Sequence, residues 1–195
     1  MPFTLDRDAF SRVLDFVRPL SVGVDGATNF GFVERRLAVA ERLAADTRAR
    51  GEDVNAARLF LLAAFAGLPE RRHVGGGRTE LLLSGAGVPR EEQAWLLRAL
   101  RRFEADPRSI EEGLVRDAGL LEIVGAYGVT QMLVSGTRER MSLEEMAEEI
   151  AARVSAVNFS TEAGREAGAE RVAFALAFAE RLRHEVAEFA KGSGR

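Results

Sequence analysis

The sequence has no cysteine and only two histidines, His73 and His184. The first absence removes disulfides, zinc thiolates and cysteine nucleophiles from consideration. The second leaves few imidazoles for a hydrolytic metal centre or an acid–base relay, which ordinarily use several. Lysine is nearly missing too: Lys191 is the only one, and the other cationic residues are arginines, many alternating with Glu and Ala. We read that as composition bias before chemistry. Neither sign of charge is in large excess, the formal net charge being -3, so nothing calls for nucleic acid or an anionic membrane as partner. No apolar run approaches the roughly 18 residues of a membrane-crossing helix. No basic-then-apolar leader opens the chain, and the default expectation is a cytoplasmic protein. The single Trp and single Tyr, Trp95 and Tyr127, lack the interleaved basic pattern of a base-stacking surface and read as core or interface residues.

What is present suits one domain with a real core: 195 residues, 47% of them hydrophobic, expected as one helical domain over 1–190 with 191–195 as a frayed tail. Helical periodicity dominates. Phe10, Val13, Leu14 and Val17 form a stripe that Pro19 should end. Residues 21–32 are Gly-rich, contain Asp25-Gly26 and read as a loop. A second helix carries Val33, Leu37, Ala40 and Leu43 and ends before Gly51. Residues 54–66 are apolar apart from Asn55 and Arg58, too uniformly for a surface helix, and should form the buried central one. Gly67-Leu68-Pro69 ends it, and His73 to Gly77 is a loop. A short helix over 80–84 follows, then one with Pro89 in its first turn that runs to about Arg102. Asp106-Pro107 breaks the chain. A helical stretch from Ile110 to about Val134 should be interrupted at Asp117-Ala118-Gly119. Ser142 and Glu145 have the spacing of a capping box, and the last long helix carries Val172, Leu176, Ala179, Leu182, Val186 and Phe189. No strand pattern is visible, so the fold class is all-α.

Residues 117–129 read Asp-Ala-Gly-Leu-Leu-Glu-Ile-Val-Gly-Ala-Tyr-Gly-Val. This resembles the segment Asp-Ala-Asp-x-Leu-Asp-x-x-Gly-Ala-x-Gly-Ile of small bacterial HD-domain phosphohydrolases. Thr161-x-x-Gly164-Arg165-x-x-Gly168-x-x-Arg171 is similar to the family's Thr-x-x-Gly-Arg-x-x-Ala-x-x-Arg helix. Order and spacing agree over about 30–190. The resemblance implies an HD-domain-like helical bundle. Active members hold divalent metal through a His, an adjacent His-Asp pair and a late Asp, and hydrolyse phosphate esters, often of nucleotides.

Position by position, the ligand set is degenerate. The first His falls on Val33, in Val33-x-x-Arg36-Leu37. The His-Asp pair, which follows two leucines, falls on Ala63 and Ala64 after Leu61 and Leu62; a shift by one residue gives Ala64 and Phe65. The late Asp falls on Asp117, while the segment's other aspartates become Gly119 and Glu122. A divalent cation needs several lone-pair donors at about 2 Å, and Val33, Ala63 and Ala64 supply none. Replacing all three by apolar side chains also avoids burying unpaired polar groups once the metal is gone. No metal or other cofactor is therefore expected.

Asp117 is either a relic ligand or a helix-cap carboxylate. Glu122 is a candidate partner for a buried Arg36 or Arg171. His73, among Arg71, Arg72 and Arg78 in a glycine-rich loop, is either an anion contact or simply solvated. Arg101-Arg102 is a candidate basic rim, and His184 reads as a surface residue. Gly75-Gly76-Gly77 lacks the following Lys-Ser or Lys-Thr and the preceding strand of a phosphate loop. Three functions compete. The first is a metal-free binding or structural domain, candidate for a homodimer. The second is a hydrolase with a site rearranged around Asp117, Glu122, His73 and arginines. The third is a small-ligand sensor with a cavity lined by Val33, Ala63, Ala64, Phe65 and Tyr127.

Overall fold

The structure, a computed structural model, describes residues 3–21, 30–66, 68 and 77–192. Every regular element among the described residues is a helix, so the all-α expectation holds. The elements are α1 (Arg7–Leu20), α2 (Phe30–Ala49), α3 (Ala56–Ala66), α4 (Gly77–Gly85), α5 (Arg90–Arg102), α6 (Ile110–Ile123), α7 (Gly125–Arg138), α8 (Leu143–Ser155) and α9 (Glu162–Gly192). Contacts divide the chain into two compact units. One comprises residues 1–118 and 160–163, the other 119–159 and 164–195.

The first unit is built around α3. Its apolar composition has the expected consequence: Leu59 to Ala66 are all buried, and α2, α5 and α1 pack against it. The one charge in α3 is Arg58, which is half-buried and paired with a buried carboxylate. Its Nε and Nη2 donate to Glu92 Oε2 and Oε1 of α5, each at 2.8 Å, and its guanidinium lies 5.1 Å from the centre of the Trp95 ring. That hydrogen-bonded Glu92 is the main reason the Arg58 pKa is raised, with Glu111 and Glu91 adding to it. Trp95 is thus half-buried under an arginine rather than a core residue.

Arg102 is also committed. It forks onto the fully buried Glu112 of α6, with Nε at 3.1 Å and Nη2 at 2.6 Å. The same carboxylate accepts the Arg108 backbone N–H at 3.0 Å. The basic rim expected at Arg101-Arg102 is therefore not formed by Arg102, which instead holds α5 to the start of α6.

Two helix boundaries differ from expectation. α1 runs past Pro19 to Leu20. Proline's missing donor costs little so near the helix end, where Ser21 closes the last turn through N–H bonds to Val17 and Arg18 carbonyls at 3.0 and 3.2 Å. The helical stretch from Ile110 is continuous through Asp117-Ala118-Gly119 and breaks at Val124. The break lies there because Gly125 adopts φ 82°, a left-handed conformation that glycine accepts without strain. The expected loops over 21–32 and 73–77 fall mostly outside the described residues. α2 already begins at Phe30 and α4 at Gly77.

In the second unit α7 packs against α8. A Cβ at Gly136 would stand 2.9 Å from Met146 Cγ, so the absent side chain permits the close approach of these helices. The capping box at α8 forms as its spacing predicts: Ser142 Oγ accepts the Glu145 N–H at 3.2 Å, and Glu145 Oε2 accepts the Ser142 N–H at 2.7 Å. That backbone hydrogen bond, with a smaller one from the Ser142 side chain, holds the Glu145 pKa below its ordinary value. A depressed carboxyl contributes stability above its unfolded pKa and loses it as pH falls through the folded one. The Ser142→Ala variant should lose about 1 kcal/mol of stability in urea unfolding at pH 7. Acidification through the carboxylate range should lower the stability of wild type and variant alike, because the backbone N–H of residue 142 that chiefly depresses Glu145 is kept in the variant.

Candidate functional site

Val33 lies on α2, Ala63 and Ala64 on α3, and Asp117 on α6, and all four have no exposed surface. Phe65 is equally enclosed. In this unit α2 and α3 pack against each other. Val33, Ala63, Ala64 and Phe65 are all buried in the first unit. The cause is close packing of small side chains on a uniformly apolar helix. Tyr127, the remaining residue of that expected lining, belongs to the other compact unit and is 41% exposed. A cavity of about 230 Å³ does occur in the first unit, against Phe10, Leu37, Leu59 and Phe60, and it reaches Ala63 but not Val33, Ala64 or Phe65.

Both carboxylate oxygens of Asp117 accept hydrogen bonds. Its Oδ1 accepts the Ser160 backbone N–H at 2.8 Å, and its Oδ2 accepts the Thr161 N–H at 2.7 Å and the Thr161 hydroxyl at 2.7 Å. Ser160 and Thr161 immediately precede α9, so a carboxylate from α6 serves the start of that helix, where N–H groups lack intrahelical acceptors and negative charge is favoured. Gly113, one turn earlier on α6, makes room: a Cβ there would lie 3.0 Å from Thr161 Cγ2. Arg116 adds a hydrogen bond to the Ser160 hydroxyl and donates to the Glu104 carbonyl at 2.8 Å. These are the hydrogen bonds a carboxylate at a helix start accepts.

The rest of the two sequence segments is occupied in the same way. Arg171 Nη1 donates to the Leu121 carbonyl at 3.1 Å, one of the last carbonyls of α6, which have no intrahelical donor. Its aliphatic stem lies against Gly125, where a Cβ would stand 3.3 Å away. Arg165 Nη1 reaches the Phe159 carbonyl at 3.4 Å. Gly168 leaves space for the Phe159 ring, which an added Cβ would meet at 2.2 Å. The glycines and arginines at this spacing therefore shape a helix junction.

Arg36 is buried on α2 with its guanidinium 4.6 Å from the centre of the Phe32 ring. Glu122 lies at the end of α6, in the unit that does not contain Arg36. Arg71, Arg72 and His73 fall outside the described residues, as does the Arg78 side chain. His184 is 62% exposed on α9, with Nε2 3.3 Å from Glu188 Oε1, in keeping with a surface role. Among the described residues no group of three or more His, Cys, Asp and Glu side chains is arranged to hold a metal ion. No single described helix is long and apolar enough to cross a membrane.

Sequence reasoning missed the Arg58–Glu92 and Arg102–Glu112 pairs. For Arg58 a signal existed, a lone charge in an apolar helix. For Glu112 none did, because a glutamate between Glu111 and Gly113 reads as a solvated face.

Comparison with solved structures places this architecture among known bacterial proteins. The chain shares the fold of Bacillus subtilis YpgQ. Over 91% of this chain and 95% of YpgQ, in its crystal structure in complex with ADP, the TM-score is 0.67 at 16% sequence identity. Listeria innocua Lin1889 superposes with a TM-score of 0.70 at 15% identity, over 92% of this chain and 96% of that one. A Lactobacillus plantarum protein gives 0.66 at 16% identity, over 95% of this chain and 100% of that one. No family model matches the sequence, and no curated protein matches it. At these identities the similarity establishes a common helical fold.

Proposed function

We propose that the chain is a non-catalytic HD-like domain spanning 1–190, which acts by binding or as a structural element, as a cytoplasmic homodimer. The observation that carries this reading is the state of the aligned ligand positions. Val33, Ala63 and Ala64 are apolar and sealed, and both oxygens of Asp117 are committed to the start of α9. A cation at Asp117 would have to displace three short hydrogen bonds and would find no second protein donor at the aligned positions. Arg36, Arg71, Arg72, His73, Glu122, Tyr127 and Arg171 remain the candidate contacts for a ligand.

A second reading is favoured by one observation, the ADP held by YpgQ. In this second reading the chain is a divalent-metal-dependent phosphohydrolase acting on a nucleotide or other phosphate ester through a site rearranged around Asp117, Glu122, His73 and arginines. The two readings part on one experiment. The protein is incubated with ADP and Mn2+ while free phosphate is measured, and Mn2+ is titrated calorimetrically in parallel. The first reading expects no phosphate above the buffer blank and no saturable Mn2+ uptake. Manganese-dependent phosphate release that disappears in His73→Ala would overturn it. Binding of ADP without hydrolysis would leave it standing and name the ligand class.

A further inference from the structure

We draw no further inference here: the strongest candidate, the polar cleft that Asp53, Glu91 and Glu111 line around the Arg58–Glu92 pair between α3 and α5, is a cluster of acidic side chains with no independent observation beside it that points to a ligand.

Discussion

Asp117→Ala should destabilise the protein by about 3–5 kcal/mol, with the start of α9 losing its protection first. The substitution removes an acceptor of three hydrogen bonds and leaves two backbone N–H groups and the Thr161 hydroxyl, buried or partly buried, without it. Buried donors without acceptors cost roughly 1–3 kcal/mol each before any relaxation. Urea unfolding measures the total, and amide hydrogen exchange at Ser160 and Thr161 measures the local part. Asp117→Asn should fall between wild type and Ala. The amide keeps one acceptor oxygen but turns an NH2 toward a donor. If the carboxylate held a metal instead of a helix, Asp117→Ala would leave the stability of metal-free protein nearly unchanged. That result would remove the main support for the non-catalytic reading.

Gly128→Ala should cost about 3 kcal/mol or more, or prevent folding of the second unit. An added Cβ would stand 1.8 Å from the Ile123 carbonyl oxygen and 2.9 Å from that of Glu122. These are backbone atoms at the α6–α7 junction, so no side-chain rotation relieves the clash. The left-handed Gly125 between them leaves the backbone little alternative path. Gly85→Ala provides the control. It ends α4 with open space around its missing Cβ and no positive φ, so there alanine should be neutral or stabilising by up to about 1 kcal/mol. Thermal unfolding of the two variants should therefore shift in opposite directions, or only for Gly128. Equal behaviour would show that the junction yields more readily than its geometry implies.

Much of the helical order was legible because it rests on local rules. The uniformly apolar run at 56–66 had to be buried, and the Ser142–Glu145 spacing had to cap a helix, since both follow from short-range pattern and hydrogen-bonding chemistry. The break after Asp117 was misplaced for a related reason. Glycine lowers helix propensity at residue 119 and at residue 125 alike, and sequence does not say which of them takes a positive φ. Only the packing of Arg171 on Gly125 and the approach of Gly128 to Ile123 single out the second.

The candidate site divides along the same line. That Val33, Ala63 and Ala64 offer no metal ligands is a property of the residues themselves, and so is the absence of cysteine and the scarcity of histidine. Whether those apolar positions enclose a cavity was open until the helices were packed, because a row of alanines permits either a void or close helix contact. Their zero exposure places them inside the helix packing, with a cavity reaching Ala63 from the side of Phe10 and Leu37. Asp117 was equally open, since a carboxylate serves a cation or a helix end with the same chemistry. Its partners lie 43 and 44 residues away. The sequence by itself determined which chemistry the chain has the groups to perform. Tertiary structure alone decided what the surviving polar groups are used for, because a buried carboxylate takes its role from the donors that folding brings to it.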